Sequence, residues 1–378
     1  MNILIVLSSL TGGGAERVAC NLAAGWLGRG HQVSLATLGS SDEDFYQLDA
    51  GVKRLSLEVN RPSTSRLDSI KMNIVRVRSL RNAIADESSD VVISLMTTTN
   101  VRVLLSLIGK KVPVLAAEHS YPPKSTQSNF WKSMRKWIYR YASAVVALNG
   151  ESAHWLKKHT SARNVVVIPN QIVWPMARVE PYVDAQSLAE GRKYFLGVGR
   201  LDRLKGFDRL IRSFSTICKE LPEWDLVIIG QGSEHENLSA LAASLGIENR
   251  VIFTGLVGNV VDWYERCHVF VLSSNLEGFP VALLEAMACG MPAVAVDCTT
   301  GPSDIINDGE NGVLCLVDDN SLSKSMYELA IDNDTQERLS QQARTVVSTY
   351  SEETVLDLWD SLFESLGLMQ SRVQNTNK

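Results

Sequence analysis

Two glutamates in the last third of the chain are the first candidates for chemistry. Glu277 and Glu285 are separated by seven residues, in the segment EGFPVALLEAMACGMP that begins at Glu277. A helix is predicted to begin near Pro280, because proline is favoured in a first helical turn. Glu285 then lies inside an otherwise apolar helix, where a carboxylate is costly unless a hydroxyl or a cation partners it, and sugar hydroxyls would serve. The alternative is that Glu285 faces solvent on a polar stripe.

Two cations follow a predicted strand in the second half of the chain. Arg200 and Lys205 come after the apolar run 194–198, so we expect both at the carboxyl end of that strand. A guanidinium fork and an ammonium point charge at this position suit a diphosphate. The alternative is a solvated charged loop.

A glycine-rich turn follows the first predicted strand. Gly12, Gly13 and Gly14 let backbone amides approach an anion closely, and the helix after them directs its N-terminus at the same point. The turn therefore predicts a phosphate site, with a plain strand-to-helix turn as the alternative. Neither this turn nor the one at Gly230 and Gly232 fits the dinucleotide fingerprint G-x-G-x-x-G, which argues against a dehydrogenase.

Strands and helices alternate along the chain in two series, and these elements must position the candidate residues. The first series of apolar runs predicts strands at residues 3–7, 33–37, 91–96, 114–117, 144–148 and 165–168. The second series predicts strands at residues 194–198, 226–229, 251–254, 269–273, 293–297 and 313–317. Helices are predicted between most of these strands, as at 15–27 and 70–84, and again over 334–366.

This pattern predicts an α/β fold of two doubly wound, Rossmann-like domains, residues 1–175 and 176–350. Residues 171–192 contain two prolines and no clear periodicity, so we expect a linker there. Residues 351–378 are predicted to form a helix that packs back on the first domain, with a frayed polar tail from Gln370 to Lys378. Ligands of such sheets bind beyond the carboxyl ends of the strands, so a cleft faced by both domains is the expected site.

Composition places the chain among ordinary globular proteins. Hydrophobic residues make up 45% of its 378 residues and charged residues 21%, which excludes a disordered or fibrous protein. The six cysteines form no C-x-x-C pair and mostly lie in apolar runs, so we expect buried free thiols in a reducing compartment, not disulfides or a zinc site. The sequence contains no recognisable targeting segment and no apolar stretch of 18 residues, which predicts a cytoplasmic protein with only peripheral membrane contact.

Positive charge is concentrated in the first half of the chain, although the net charge is −5. Residues 61–81 contain Arg76 among other basic residues, and residues 124–141 combine basic side chains with Trp and Tyr. The basic residues of interest in that second segment are Lys132, Arg135 and Lys136. Such mixtures suit a helix at an anionic membrane surface, or the diphosphate of a lipid-linked sugar. The alternative is an ordinary solvated helix face, and nucleic acid is disfavoured because no binding motif accompanies the charge.

Taken together, these motifs resemble those of the retaining glycosyltransferases of family 4. The pattern E-G-F-P-x-x-x-x-E-A-M-A-C-G-x-P from Glu277, the glycine-rich turn and the segment 199–206 match that family at the expected places, and the resemblance extends to about residue 366. It implies the GT-B fold, in which two Rossmann-like domains face a cleft. Residues 1–175 would then bind the acceptor and residues 176–350 the nucleotide sugar.

The resemblance also implies roles for individual residues. Glu277 would contact the donor sugar, and Glu285 would bind the ribose hydroxyls of the nucleotide. Arg200 and Lys205 would hold the diphosphate and stabilise the charge that grows on it. His119, at the end of a predicted strand of the first domain, would lie against the transferred sugar. Backbone amides would help to cradle phosphate and sugar at Gly13, Gly14, Gly278 and Phe279.

Within the family, the chain is most similar to bacterial enzymes that extend undecaprenyl-diphosphate-linked glycans, such as N-acetylgalactosamine transferases. The segments 13–17, 98–100 and 118–120 carry this likeness, and Arg17 joins the basic residues assigned to the acceptor or the membrane. Two positions depart from the family. Gln171 follows Pro-Asn where glycine is frequent, and Gln231 stands where an acidic residue is frequent, which leaves base selectivity open.

The resemblance implies an enzyme that moves a hexose or N-acetylhexosamine from a UDP-sugar to a lipid-linked saccharide at the cytoplasmic face of the membrane. Retention of configuration is implied, and no metal ion or cofactor is expected. Since no nucleophile stands out, front-face displacement is favoured, with the leaving phosphate assisting deprotonation of the acceptor. The alternatives are a nucleotide-sugar 2-epimerase, which needs no acceptor, and a non-catalytic nucleotide-sugar-binding protein.

Overall fold

The structure, a computed structural model, describes residues 1–11, 13–124 and 127–369. Gly12 of the glycine-rich turn and the predicted frayed tail Gln370–Lys378 therefore lie outside the described residues. The chain divides into two compact units. The first is Met1–Gln171 together with the final helix, Glu352–Ser365, and the second is Ile172–Ser351.

The first unit is built on one parallel seven-stranded sheet. Its elements are β1 (Asn2–Leu7), α1 (Gly14–Gly28), β2 (Gln32–Thr37), β3 (Lys53–Ser56), α2 (Arg66–Asp86), β4 (Val91–Leu95), α3 (Thr97–Ser106), β5 (Val114–Glu118), α4 (Asn129–Ile138), β6 (Ala144–Ala147), α5 (Gly150–His159) and β7 (Val165–Val167). The strand order is β3-β2-β1-β4-β5-β6-β7. Because the order reverses at β1, the carboxyl ends of β1 and β4 form the switch point where ligands of such sheets bind.

The second unit contains a parallel six-stranded sheet. Its elements are β8 (Lys193–Val198), α6 (Phe207–Ile217), β9 (Trp224–Ile229), α7 (His235–Ser244), β10 (Val251–Gly255), α8 (Val260–Arg266), β11 (Val269–Leu272), α9 (Val281–Ala288), β12 (Ala293–Val296), α10 (Pro302–Ile305), β13 (Val313–Cys315), α11 (Asp319–Ile331), α12 (Asn333–Ala343) and α13 (Val346–Thr349). The strand order is β10-β9-β8-β11-β12-β13, so the switch point lies between β8 and β11.

The predicted α/β class and the two doubly wound sheets are confirmed. The central strands are buried on both faces, as their unbroken apolar runs require of parallel sheets. One strand, β3, was not predicted, because Lys53 and Arg54 interrupt its pattern. It tolerates them because it pairs only with β2, at the edge of the sheet.

The predicted linker is wrong for most of its length. Residues from Ile172 onward pack on the second unit, where the amide side chain of Asn259 is hydrogen-bonded to both backbone groups of Val183, at 2.9 and 3.0 Å. The Arg178 guanidinium also contacts the Asp262 carboxylate at 2.5 Å. Apolar side chains such as Met176 are buried there, and this burial explains why the segment is ordered despite its lack of periodicity.

The predicted helix over 334–366 is interrupted. It consists of α12, α13 and α14 (Glu352–Ser365), and only α14 belongs to the first unit. There α14 packs against α1, with the indoles of Trp26 and Trp359 edge to face at 5.6 Å. Gly25 permits the approach, since a Cβ on it would lie 2.6 Å from a Leu356 methyl group. The Arg29 guanidinium completes the contact by binding a carboxylate of α14, that of Asp360, at 2.5 Å.

Candidate functional site

The switch point of the second unit brings Lys205 and Glu277 together. Lys205 follows β8 and Glu277 follows β11, and these two strands are neighbours in the sheet. The Lys205 ammonium donates to Glu277 Oε1 at 2.7 Å, and the Ser274 hydroxyl donates to the same oxygen at 2.6 Å. The Glu277 side chain is only 7% exposed, so a buried carboxylate is held by one cation and one hydroxyl.

The loops that carry this pair are tied together by their backbones. The Ser273 hydroxyl donates to the Lys205 carbonyl at 3.0 Å. Gly206 adopts a φ of +62°, and a Cβ on it would lie only 2.2 Å from the Ser273 carbonyl oxygen. Glycine is therefore required here both for its backbone conformation and for the close approach of the two loops.

A second contact ties the Glu277 loop to the loop that follows β12. The Thr300 hydroxyl donates to the Glu277 carbonyl at 2.6 Å, and Gly301, with a φ of +101°, lies against Pro280. Neither Thr300 nor Ser274 was predicted from the sequence to be part of the site. A serine directly after a strand and a Thr-Gly pair after the next one were the available indications, but neither is specific.

Arg200 lies in the same loop as Lys205 but has a different partner. Its side chain is 71% exposed and donates to Asp202 Oδ2 at 2.7 Å. Asp202 in turn accepts from the Leu204 backbone amide at 2.9 Å, which holds the loop in shape. The structure therefore places one cation against Glu277 and leaves the other accessible to solvent.

Glu285 is buried inside α9, so the alternative of a solvent-facing side chain is wrong. It is 5% exposed, and the Tyr264 hydroxyl lies 3.2 Å from Glu285 Oε2. A carboxylate buried in an apolar helix needs a hydroxyl or a cation as a partner, and here the protein itself supplies the hydroxyl. The ribose role of Glu285 stays a prediction.

The backbone predicted to cradle the sugar comes directly before α9. Gly278 is half-buried, and Phe279 is buried with its ring 5.4 Å from that of Tyr350. Their contact with the donor sugar stays a prediction.

In the first unit, Gly13 forms the N-cap of α1, and Gly14 and Arg17 lie in its first turn. The carboxylate of Glu16 folds over this turn, since a Cβ on Gly13 would lie 2.2 Å from Glu16 Oε2. Negative charge at a helix N-terminus is favourable. An anionic ligand at this turn would have to displace that carboxylate, whereas a hydroxyl of a ligand would find an acceptor there.

His119 follows β5 directly, at the carboxyl edge of the first sheet. Burial lowers its pKa to about 4, so the imidazole is neutral at pH 7. The preceding residue, Glu118, is fully buried and accepts hydrogen bonds from Thr97 Oγ1 at 2.8 Å and from the Tyr139 hydroxyl. Burial raises the pKa of Tyr139 well above its usual value, so the phenol remains a donor.

Two residues assigned to the acceptor or the membrane are corrected by the structure. Arg135 is 2% exposed, lies 3.6 Å from Glu118 and packs on the Trp155 ring. Arg76 is also buried and donates to the carbonyls of Val59 and Arg61. Long basic side chains that satisfy groups inside a fold are not available to an external partner.

The exposed face of α4 carries aromatic and basic side chains. Phe130 and Trp137 are 61% and 60% exposed, and Tyr141 just beyond the helix is also exposed. The Lys136 ammonium lies 5.7 Å from the centre of the Trp137 ring, whereas Lys132 is half-buried. The neighbouring helix α2, which packs like α4 against α3, exposes apolar residues between basic ones. These apolar residues are Leu67, Ile70, Ile74 and Val75.

The six cysteines are all free thiols, as expected, with four buried and two half-buried. Among residues 1–11, 13–124 and 127–369, no cluster of three or more His, Cys, Asp or Glu side chains suited to a metal ion is found. In the same part of the chain, no helix has the length and hydrophobicity needed to cross a bilayer.

Both units match known protein families. Residues 12–172 match the family model of Glycosyltransferase Family 4, and residues 180–346 match that of Glycosyl transferases group 1. Only residues 173–179, at the start of the second unit, lie between the two matches, which together cover most of the chain.

Three individual proteins illustrate the likeness. A Campylobacter jejuni α-1,4-N-acetyl-D-galactosaminyltransferase named for GalNAc-α-(1→4)-GalNAc-α-(1→3)-diNAcBac-PP-undecaprenol is 29% identical over 88% of this chain and 90% of its own. Sucrose-phosphate synthase from Thermosynechococcus elongatus has a TM-score of 0.85 at 19% identity, over 97% of this chain and 99% of its own. Anabaena HepE, solved in complex with UDP and glucose, has a TM-score of 0.78 at 19% identity, over 97% of this chain and 100% of its own.

Proposed function

Because the chain belongs to the glycosyltransferases of family 4 and group 1, with the GT-B fold, we propose that it transfers a hexose or N-acetylhexosamine from a UDP-sugar to a lipid-linked saccharide. The reaction retains the anomeric configuration and uses no metal ion or cofactor. The observation that carries the proposal is the contact of Lys205 with Glu277 at the switch point of the second sheet.

The choice of donor and acceptor is supported by proteins that this chain resembles. HepE was solved with UDP and glucose, and the Campylobacter relative is named for a glycan on undecaprenyl diphosphate. The exposed Arg200 suits a nucleoside diphosphate, because it contacts Asp202 through Nε and can direct its two terminal NH₂ groups at phosphate oxygens.

Glu277 is arranged to bind a sugar hydroxyl. Both of its hydrogen bonds in the structure, from Lys205 and Ser274, go to Oε1. Oε2 therefore remains the acceptor for a hydroxyl of the donor sugar, and the other N–H groups of Lys205 reach the diphosphate.

The transfer step follows from this charge distribution. The bond between the anomeric carbon and the diphosphate oxygen breaks, and its electron pair leaves with UDP. Lys205 and Arg200 stabilise the negative charge that develops, an electrostatic contribution worth typically 10²–10³ in rate, or ~3–4 kcal/mol. The acceptor hydroxyl forms the new bond on the same face and gives its proton to the departing phosphate oxygen.

The acceptor and the membrane contact are assigned to the first unit. The exposed face of α4, with Phe130, Trp137 and Lys136, combines apolar rings with positive charge. Such a face suits the interface of an anionic bilayer, where the rings enter the headgroup region and the ammonium groups meet phosphates. We therefore place the enzyme on the cytoplasmic face of the membrane, where a lipid-linked acceptor is presented.

The test is a transfer assay with UDP-sugars and an undecaprenyl-diphosphate-linked saccharide, read by UDP release and by the mass of the product. Glu277→Gln and Lys205→Ala are expected to abolish product formation, while Arg203→Ala is the matched control, because Arg203 lies in the same loop and its side chain is 86% exposed. UDP release that does not require the acceptor would favour the 2-epimerase. UDP binding without any turnover would favour a non-catalytic binding protein.

A further inference from the structure

A small cavity lies beside His119 in the first unit. Its walls are apolar where α1 and α14 contribute Val18, Leu22 and Trp359. Its polar lining residues are His119, Asn170 and Gln171, and we call it the His119 cavity. At about 10 Å³ it has room for one water molecule.

The polar atoms of this cavity have no protein partners. His119 Nδ1, Asn170 Oδ1 and both amide atoms of Gln171 are buried and make no hydrogen bond within the part of the chain that the structure describes. Asn170 and Gln171 are 5% and 1% exposed. Buried polar atoms are almost always hydrogen-bonded, because each unsatisfied group costs ~1–3 kcal/mol. Four such atoms on three residues that share one cavity therefore indicate a common partner.

We propose that the His119 cavity binds a single internal water, hydrogen-bonded to His119 Nδ1, Asn170 Oδ1 and the Gln171 amide, and that Asn170 and Gln171 thereby position the imidazole. Asn170 Oδ1 can accept a hydrogen bond from the water, and the Gln171 amide can either accept one through Oε1 or donate one through Nε2. Internal waters typically make about three hydrogen bonds, and this lining supplies at least that number.

The size and the walls of the cavity favour water over a part of any substrate. A sugar hydroxyl carries a carbon atom with it, and a space of about 10 Å³ holds one water molecule but not that carbon as well. Water alone fits the space and satisfies donors and acceptors together.

The water would matter to His119 because the imidazole is neutral and has one N–H. Which ring nitrogen carries that proton is set by the hydrogen bond that the other one makes. The proposed water would fix both the tautomer and the orientation of the ring. With the tautomer fixed, Nε2 would act toward a ligand either always as a hydrogen-bond donor or always as an acceptor. The catalytic consequence rests on the proposed transferase function, whereas the water site itself does not.

Gln171, the residue at which this chain departs from the Pro-Asn-Gly pattern, is one of the residues that line the His119 cavity. A glycine at position 171 would offer no side-chain amide to the cavity. Gln171 supplies both a donor and an acceptor next to His119, so the substitution adds a polar partner where the family motif has none.

The first test uses the unaltered full chain. A crystal structure that resolves ordered waters is expected to show one water within hydrogen-bond distance of Nδ1, Asn170 and Gln171. Ring-¹⁵N NMR of the histidines, with the His119 signal assigned through His119→Gln, is expected to show a single tautomer. A dry cavity, or a mixture of tautomers at His119, would overturn the proposal.

The second test compares a substitution in the cavity with one outside it. Gln171→Met keeps the length of the side chain but removes its amide, whereas Leu80→Met changes a fully buried leucine of α2 that does not line the cavity, at nearly constant volume. Gln171→Met is expected to shift the His119 ring signals and to lower kcat about tenfold with little change in KM, as for a slightly misplaced group. Leu80→Met is expected to leave both readouts unchanged.

The two kinds of failure can be told apart. Unchanged His119 signals in Gln171→Met would refute the water site whatever the activity. Altered His119 signals in a protein that transfers no sugar would refute the proposed function and leave the water site standing.

Discussion

The Lys205 ammonium lies 2.7 Å from the Glu277 carboxylate, although 71 residues stand between them in the sequence. The contact arises because β8 and β11, which run into the loops that carry these residues, are adjacent strands of the second sheet. A cation and a carboxylate are thus paired at the edge where doubly wound sheets generally bind ligands. The pair has consequences for both activity and stability.

Lys205→Met is expected to leave the buried Glu277 carboxylate with Ser274 as its one remaining partner among the contacts described. Transfer activity should fall at least 100-fold, the size of effect seen when one charge-stabilising donor is lost, and the free energy of unfolding should fall by about 1–3 kcal/mol. Steady-state kinetics and urea unfolding measure the two effects. If Glu277→Gln combined with Lys205→Met were no more stable than Lys205→Met alone, the stability loss would not come from the uncompensated charge.

Gly206→Ala is expected to separate the two loops that carry Lys205 and Glu277. Its Cβ would meet the Ser273 carbonyl at 2.2 Å in a backbone with a φ of +62°. We expect a loss of about 2–4 kcal/mol in the free energy of unfolding, together with loss of activity. Gly191→Ala is the control, because Gly191 also has a positive φ but its Cβ would meet open space. Equal losses in the two variants would show that the close approach to Ser273 is not required.

The half-buried imidazole of His119 is expected to make stability depend on pH. Its pKa is about 4 in the folded protein against an ordinary 6.5, so between these values the unfolded chain takes up a proton that the folded chain does not. The free energy of unfolding therefore falls as pH falls from 6.5 to 4, by up to about 3 kcal/mol from this group alone. Unfolding curves of wild type and His119→Gln across this range measure the contribution. Parallel curves would contradict it.

The exposed face of α4 is expected to bind anionic vesicles. Replacing Phe130 and Trp137 together by serine should weaken binding to phosphatidylglycerol vesicles about tenfold or more, because two rings no longer enter the interface. Salt should weaken binding of the wild type as well, because the charges of this face are exposed. Sedimentation with vesicles measures both effects. The control is Ile331→Ser, since Ile331 is equally exposed at 57% but lies on α11 of the second unit.

Most of the fold could be predicted because parallel strands buried on both faces leave unbroken apolar runs. The exception, β3, has a lysine and an arginine at its start and survives as an edge strand. The candidate site of the second unit was predictable as a set of residues, since Lys205 and Glu277 each follow a strand. Their contact was not, because sequence does not give the order of strands in a sheet.

The basic residues of the first unit were harder to interpret. Lys136 and Arg135 are neighbours in the chain, yet Lys136 is exposed beside Trp137 and Arg135 is buried beside Glu118. Position around a helix decides between these outcomes, and a long aliphatic stem lets an arginine pair with a group deep in the fold. The buried polar atoms near His119 were also invisible in the sequence, because they meet only after residues 119 and 170 are brought to one cavity.

The ends of the second unit meet. The backbone amide of Ile172 donates to the Tyr350 carbonyl at 2.8 Å, and Ile172 pairs with Ser351, after which the chain returns to the first unit. Residues 172–351 are thus an insertion with adjoining termini. We expect a fragment excised at these two points to fold by itself, and its adjoining ends would allow it to be cyclised or grafted without a stretched connection.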